Sequence, residues 1–74
     1  MSGGLVAIEA IARLVPQGAH VLDLGCGDGR LLAYLREQRG CTGYGVEIDD
    51  AHVQACLQRG VHVLVRCRVA DPLR

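Results

Sequence analysis

The chain contains no lysine: its eight basic residues are all arginines, and eight acidic residues bring the formal net charge to zero. Nothing physical demands arginine here, but the neutrality bears on partners. A nucleic-acid surface normally shows a clustered basic excess, and this sequence has none. Long apolar runs are also missing, each falling far short of the ~20 residues that a membrane-spanning helix needs. The N-terminus has neither a basic n-region nor an extended apolar h-region, so no secretory leader is expected. The four cysteines, at 26, 41, 56 and 67, form no C-x-x-C pair and keep no regular spacing. A disulfide framework or a zinc site is therefore a poor reading, and a reduced, cytoplasmic protein with incidental thiols is expected. Internal repeats and low-complexity segments are absent too. Length sets the last bound, because 74 residues make one small domain or part of one. Half of those residues are apolar. That is enough for a core, yet so short a domain is marginal without a disulfide, a metal or a partner.

What is present alternates between helical and strand patterns. From Leu5 to Val15, apolar residues at 7, 8, 11, 14 and 15 form a helical stripe with Glu9 and Arg13 on the other side. Met1 to Gly4 is expected to fray, and Pro16-Gln17-Gly18 stops the helix. This helix is expected to cover one face of a sheet. His20 to Leu24 reads as a strand whose nearly continuous apolar run suits burial on both faces. Arg30 to Arg39 reads as a helix with Leu31, Leu32 and Leu35 inward. Its Arg36, Glu37, Gln38 and Arg39 form a solvated face, and Gly40 is its C-cap. After a turn at Cys41-Thr42-Gly43, Tyr44 to Ile48 is a second strand. Asp49 and Asp50 suit the N-cap and first turn of a third helix, Ala51 to Arg59, ended by Gly60. Its Val53, Cys56 and Leu57 share one face, while His52 is a surface residue with nothing to pair with. Val61 to Val65 is a third strand, and residues 66–74 show no clear periodicity.

The rest is organised around Val21-Leu22-Asp23-Leu24-Gly25-Cys26-Gly27-Asp28-Gly29, a strand running into a glycine-spaced loop and then a helix. Glycines at 25, 27 and 29 remove every second Cβ, so the backbone can turn sharply and lie against a ligand. In an open α/β sheet such a unit places a nucleoside-type ligand at the carboxyl end of the strand. A dinucleotide fingerprint would need G-x-G-x-x-G/A, and Arg30 breaks that spacing, which sets aside a nicotinamide-dependent dehydrogenase. The pattern present is D-x-G-x-G-x-G, from Asp23 to Gly29. Asp23 is placed to face a ligand ammonium group, the alternative being a solvated or helix-capping acid. Asp28 could cap the following helix or touch the ligand. Cys26 reads as a small packing residue rather than a nucleophile, since no His or Asn is arranged to activate it. Glu47 lies 22 residues beyond Gly25, where an acid can accept hydrogen bonds from ribose hydroxyls, or it is a turn residue.

The Asp23–Gly29 pattern resembles motif I of the class I S-adenosylmethionine-dependent methyltransferases. The element order resembles the first half of their α/β, three-layer Rossmann-like fold, with a parallel sheet of order 3-2-1 and right-handed crossovers. Within that superfamily, Val21 to Gly29, then Gly43-Tyr44-Gly45-Val46-Glu47-Ile48-Asp49, then Arg59-Gly60-Val61-His62-Val63 resemble the methionine biosynthesis protein MetW family. The resemblance covers residues 5–65 of a single partial domain, with 66–74 as a divergent tail. It implies that S-adenosyl-L-methionine is the cofactor, with Asp23, Gly25, Gly27 and Gly29 bracketing its methionine moiety. Cys26 and Asp28 belong to the same cofactor loop, Glu47 would hold the ribose, and Ile48 would pack on the adenine. It further implies a place in methionine biosynthesis, in association with homoserine O-acyltransferase. It supplies no catalytic residue, and fold alone does not license methyl transfer.

Two departures shape the alternatives. Arg66-Cys67-Arg68 stands where relatives carry an acidic residue for the adenine amino group. The sequence also stops before strands four to seven, which would carry a substrate pocket and cover the free edge of strand one. A fragment, or a reading frame shifted after about Val65, is the expectation. The competing readings are a truncated small-molecule methyltransferase and an inactive gene fragment.

Overall fold

The computed structural model describes residues 3–65. Met1 and Ser2, the Arg66-Cys67-Arg68 departure and the rest of the tail to residue 74 lie outside the described residues. The elements are α1 (Gly3–Leu14), β1 (His20–Leu24), α2 (Arg30–Arg39), β2 (Thr42–Glu47), α3 (Asp50–Gln58) and β3 (Val63–Val65). The strands form a parallel sheet in the order β1-β2-β3, with β2 central, as the 3-2-1 expectation requires. This is a Rossmann-like half, helix and strand alternating throughout.

Tertiary pairing moves several boundaries. α1 begins at Gly3, inside the segment expected to fray. β2 begins two residues earlier than Tyr44, because Thr42 aligns with His20 and its N–H donates to the Ala19 carbonyl at 3.0 Å. It ends at Glu47, leaving Ile48 beyond the strand. β3 starts only at Val63, since the N–H of Val61 is taken by the Cys56 carbonyl at 2.9 Å, at the end of α3.

The helices pack on one face of the sheet. Side chains of a strand alternate between faces. Val21, Asp23, Glu47 and Val63 fall on the helix side, where Val21 joins two core clusters. One contains Cys26, Leu32, Cys56 and Val61, and the other Ala12, Leu35 and Cys41. Among the described residues, nothing covers the opposite face. Leu22, Leu24, Tyr44 and Leu64 are exposed there, Leu24 to 71%. The apolar run of β1 therefore does not mean burial on both faces among the described residues, and its outer edge is free. In α1 the innermost residue is Ala12, outside the expected stripe, while Leu14 of that stripe is 83% exposed. The small side chain lets α1 approach Leu35 and Cys41 closely. Leu57 of α3 likewise turns outward.

Two arginines of the supposedly solvated face of α2 have structural partners. Arg36 donates to the carbonyls of Gly60 at 2.7 Å and Arg59 at 3.1 Å, and Arg39 donates to Val15 at 2.8 Å. They close carbonyls left open where α3 and α1 end. Gly40 caps α2 in the left-handed conformation, its φ being 62°. No helix among the described residues is long and apolar enough to cross a membrane.

Candidate functional site

β1 and β2 end side by side, and the glycine loop leaves from that end. The N–H groups of Gly25 and Cys26 both donate to the Val46 carbonyl, at 2.8 and 3.2 Å. This extends the ladder past Leu24 and pins the loop entry to β2. Gly25, Gly27 and Gly29 then take φ values of 70°, 61° and 83°, a left-handed series that L side chains resist. Their surroundings differ. A Cβ on Gly25 or Gly27 would meet nothing within 4 Å, whereas one on Gly29 would lie 3.0 Å from Cys56 Sγ. The first two glycines border open space; the third allows the loop to pack on α3.

Asp28 sits at the start of α2. Its Oδ1 accepts the Arg30 N–H at 3.1 Å, and its Oδ2 pairs with Arg30 Nε at 3.1 Å and with an Arg59 nitrogen at 3.6 Å. Burial pushes its carboxyl up, but the Arg30 N–H and the two guanidinium charges outweigh that and hold it below the usual carboxylate range. The N-cap of α2 is Gly29, which offers no side chain; Asp28 stands one residue before it and accepts the N–H of the first helical residue, Arg30.

Cys26 is buried beneath the loop, its Sγ 3.7 Å from Cys56 Sγ. Burial, then the neighbouring Cys56 thiol and the Asp23 and Glu47 charges, push its thiol up to about 12. A protonated, enclosed thiol is a packing group, not a nucleophile. In the native chain at neutral pH, N-ethylmaleimide is expected to leave Cys26, Cys41 and Cys56 unmodified, all three being buried. Peptide mass mapping after a short exposure checks this, and prompt labelling at 26 would show an open loop.

Glu47 closes β2 and is only 9% exposed. Its Oε1 accepts the Gly27 N–H at 2.8 Å, and its Oε2 accepts those of Asp49 at 3.0 Å and Ile48 at 3.1 Å. The Asp49 and Gly27 N–H groups, helped by Ile48 and the nearby His52 and opposed by burial, hold its carboxyl below the ordinary range. The carboxylate expected to meet a ribose thus also clasps the glycine loop. Ile48, just past the strand, is 44% exposed and free to receive a flat apolar group. Asp23 is half-buried on the helix side, and burial raises its carboxyl. No hydrogen-bond donor meets it among the described residues.

Sequence reasoning missed the partners of His52. Asp49 caps α3 by accepting the His52 N–H at 3.0 Å, and the ring Nδ1 lies 3.4 Å from Asp49 Oδ2 and 3.9 Å from Glu47 Oε2. The i,i+3 spacing from the cap was the available signal.

The model of the methionine biosynthesis protein MetW family matches residues 6–71. The chain belongs to that family. A bifunctional methionine biosynthesis protein MetXA/MetW from Rhodopirellula baltica is 38% identical, over 76% of this chain and 10% of its own length. Among solved structures, a TehB-like SAM-dependent methyltransferase from Corynebacterium glutamicum superposes with a TM-score of 0.68 at 30% identity, covering 80% of this chain and 33% of the other. A SAM-dependent methyltransferase from Geobacter sulfurreducens, in complex with S-adenosyl-L-homocysteine, gives 0.60 at 26% identity, covering 93% and 32%. The MetW-family chain thus spans about a third of the solved relatives and a tenth of the curated one.

Proposed function

We propose that this MetW-family chain carries the S-adenosyl-L-methionine site of a protein of methionine biosynthesis. The observation that carries the reading is the junction of β1 and β2. There the Gly25 and Gly27 backbone borders open space, beside the Asp23 carboxylate, which meets no hydrogen-bond donor among the described residues, and the Glu47 carboxylate, fixed by three backbone N–H groups. The residues fit the cofactor by chemistry. Asp23 offers its charge to the ammonium group, which would reverse the cost of its burial. The side-chain-free faces of Gly25 and Gly27 admit the methionine moiety. Glu47 has acceptor capacity beyond its three N–H partners for ribose hydroxyls. Ile48 receives the adenine, while Cys26, Asp28 and Gly29 shape the loop from beneath and behind. When bound, the cofactor supplies a sulfonium-activated methyl group; these residues bind and orient it.

The same reading sets the protein in the cytoplasm in association with a homoserine O-acyltransferase. Its support is the relative whose name joins MetXA and MetW in one bifunctional protein. The test is calorimetric titration of the 74-residue chain with S-adenosyl-L-methionine. Saturable binding is expected, weakened about tenfold by Asp23→Asn, the loss of one hydrogen bond to a charged group. A chain folded by circular dichroism that takes up no ligand would overturn the reading.

A further inference from the structure

Gly27 stands in the middle of the glycine loop, and its φ of 61° is one of several conformations open to a residue without a Cβ. Local sequence therefore does not fix how the two peptide groups on either side of it are oriented; their hydrogen-bond partners do. The peptide before Gly27 is held at both ends. Its N–H, on Gly27, donates to Glu47 Oε1 at 2.8 Å, and its carbonyl, on Cys26, accepts the Gly29 N–H at 3.2 Å. Neither bond involves the peptide that follows. The carbonyl of that second peptide, on Gly27, lies 3.2 Å from Cys56 Sγ, which reaches it from α3. Among the described residues, no backbone carbonyl accepts the Asp28 N–H at its other end. Cys26 Sγ is farther from the same oxygen, at 3.7 Å, and stands 3.7 Å from Cys56 Sγ. Cys56 is fully buried, and the loop rests on it: a Cβ on Gly29 would lie 3.0 Å from its sulfur.

We propose that Cys56 is a positioning residue: its thiol, donating to the Gly27 carbonyl, sets which way the Gly27–Asp28 peptide faces in the ligand-binding loop. This rests on the reading of the loop as an S-adenosyl-L-methionine site and goes beyond it, because Cys56 lies beneath the loop and is no part of that site. With the oxygen drawn down to α3, the Asp28 N–H is turned away from α3, since the two groups of a trans peptide point in opposite directions. Releasing the oxygen lets this peptide rotate about Gly27. A carbonyl dipole then enters the space that the side-chain-free face of Gly27 leaves open, and a ligand has to displace it. The Cys26 thiol completes the arrangement, placed to donate to Cys56 Sγ once the Cys56 proton is committed to the carbonyl. A thiol is a weak donor. Its share in holding the loop corresponds to about a threefold change in ligand affinity, the lower end for one hydrogen bond.

The experiment compares the full wild-type chain with Cys56→Ala, which has no donor, and Cys56→Ser, which puts a smaller hydroxyl in place of the thiol. Two quantities are read: the NMR shift of the Gly27 carbonyl carbon without ligand, and the calorimetric dissociation constant for S-adenosyl-L-methionine. In Cys56→Ala the carbonyl carbon is expected to move upfield, as for a lost hydrogen bond, and affinity to fall about threefold. Cys56→Ser is expected to bring both back towards wild type. Packing alone predicts the opposite order, since an apolar pocket accepts a methyl group more readily than a hydroxyl. An unchanged carbonyl shift in Cys56→Ala, or a Cys56→Ser chain that binds no better than Cys56→Ala, would overturn the role of Cys56. Should both variants fail to fold, the infrared S–H stretch of the wild-type chain decides. A band at lower frequency than that of a free thiol is expected, and its absence also overturns the role. A folded wild-type chain that binds no S-adenosyl-L-methionine would overturn the site reading instead, while the carbonyl shift still judges the contact of Cys56 with the loop.

Discussion

Alanine at position 43 is expected to stop this chain from folding. Gly43 and Val21 are directly aligned in the β1–β2 ladder, and a Cβ built on Gly43 falls 1.9 Å from the Val21 carbonyl oxygen and 2.7 Å from its nitrogen. Both are backbone atoms, so no rotamer change relieves the clash. The φ of 146° is also one that an L side chain resists. Relief requires parting β1 from β2, and with them the support of the glycine loop. The cost should exceed about 4 kcal/mol, the range reserved for severe conflicts, which a single small domain does not have to spare. Gly40→Ala is the control. Its left-handed φ makes alanine unfavourable by roughly 1–2 kcal/mol, but its Cβ would meet nothing within 4 Å. Thermal melts followed by circular dichroism separate the two. Similar midpoints would mean that β1 and β2 do not approach as closely as the structure places them.

Gly45 extends the same logic to the site. A Cβ there would lie 2.3 Å from Cys26 Sγ and 2.5 Å from Cys26 Cβ. The two glycines of Gly43-Tyr44-Gly45 thus serve different contacts: the first admits β1, the second admits the loop. The sequence motif that pointed to the family is, in physical terms, a pair of close approaches.

Much of this fold could be read from pattern because its signals are local. The strand–glycine–helix passage, the stop at Gly40 and the capping Asp49 each depend on residues within a turn or two. Features that needed a distant partner were not legible. Arg36 and Arg39 look solvated until the carbonyls of Gly60 and Val15 are brought beneath them. The start of β2 depends on Ala19, some two dozen residues away in sequence. Periodicity shows that β1 is apolar but cannot show which face is covered, and among the described residues Leu22 and Leu24 are both exposed. Glu47 was singled out by its spacing to the loop, yet its bond to Gly27 and its proximity to His52 emerge only once β2 and α3 are placed.

That bond changes what a substitution at Glu47 can prove. Glu47→Ala removes the acceptor for the N–H groups of Gly27, Ile48 and Asp49 together, so it should loosen the glycine loop before any ligand arrives. Amide exchange at Gly27, measured on the ligand-free chain, is expected to accelerate at least about tenfold, as for losing a hydrogen bond to a charged group. Glu47→Gln keeps one carbonyl oxygen as an acceptor and should fall between. The acid limb of stability gives an independent check. Because the folded protein holds the Glu47 carboxyl below its unfolded value, its contribution is complete above the ordinary carboxylate range. It is lost as pH falls through the lowered folded value. Wild type should therefore lose stability on acidification more steeply than Glu47→Gln, which has no such proton to take up. Unchanged exchange at Gly27 in Glu47→Ala would mean that Val46 and the left-handed glycines hold the loop without the carboxylate. A loss of ligand affinity in that variant would then report a direct contact with the ribose; faster exchange assigns at least part of the loss to the loop.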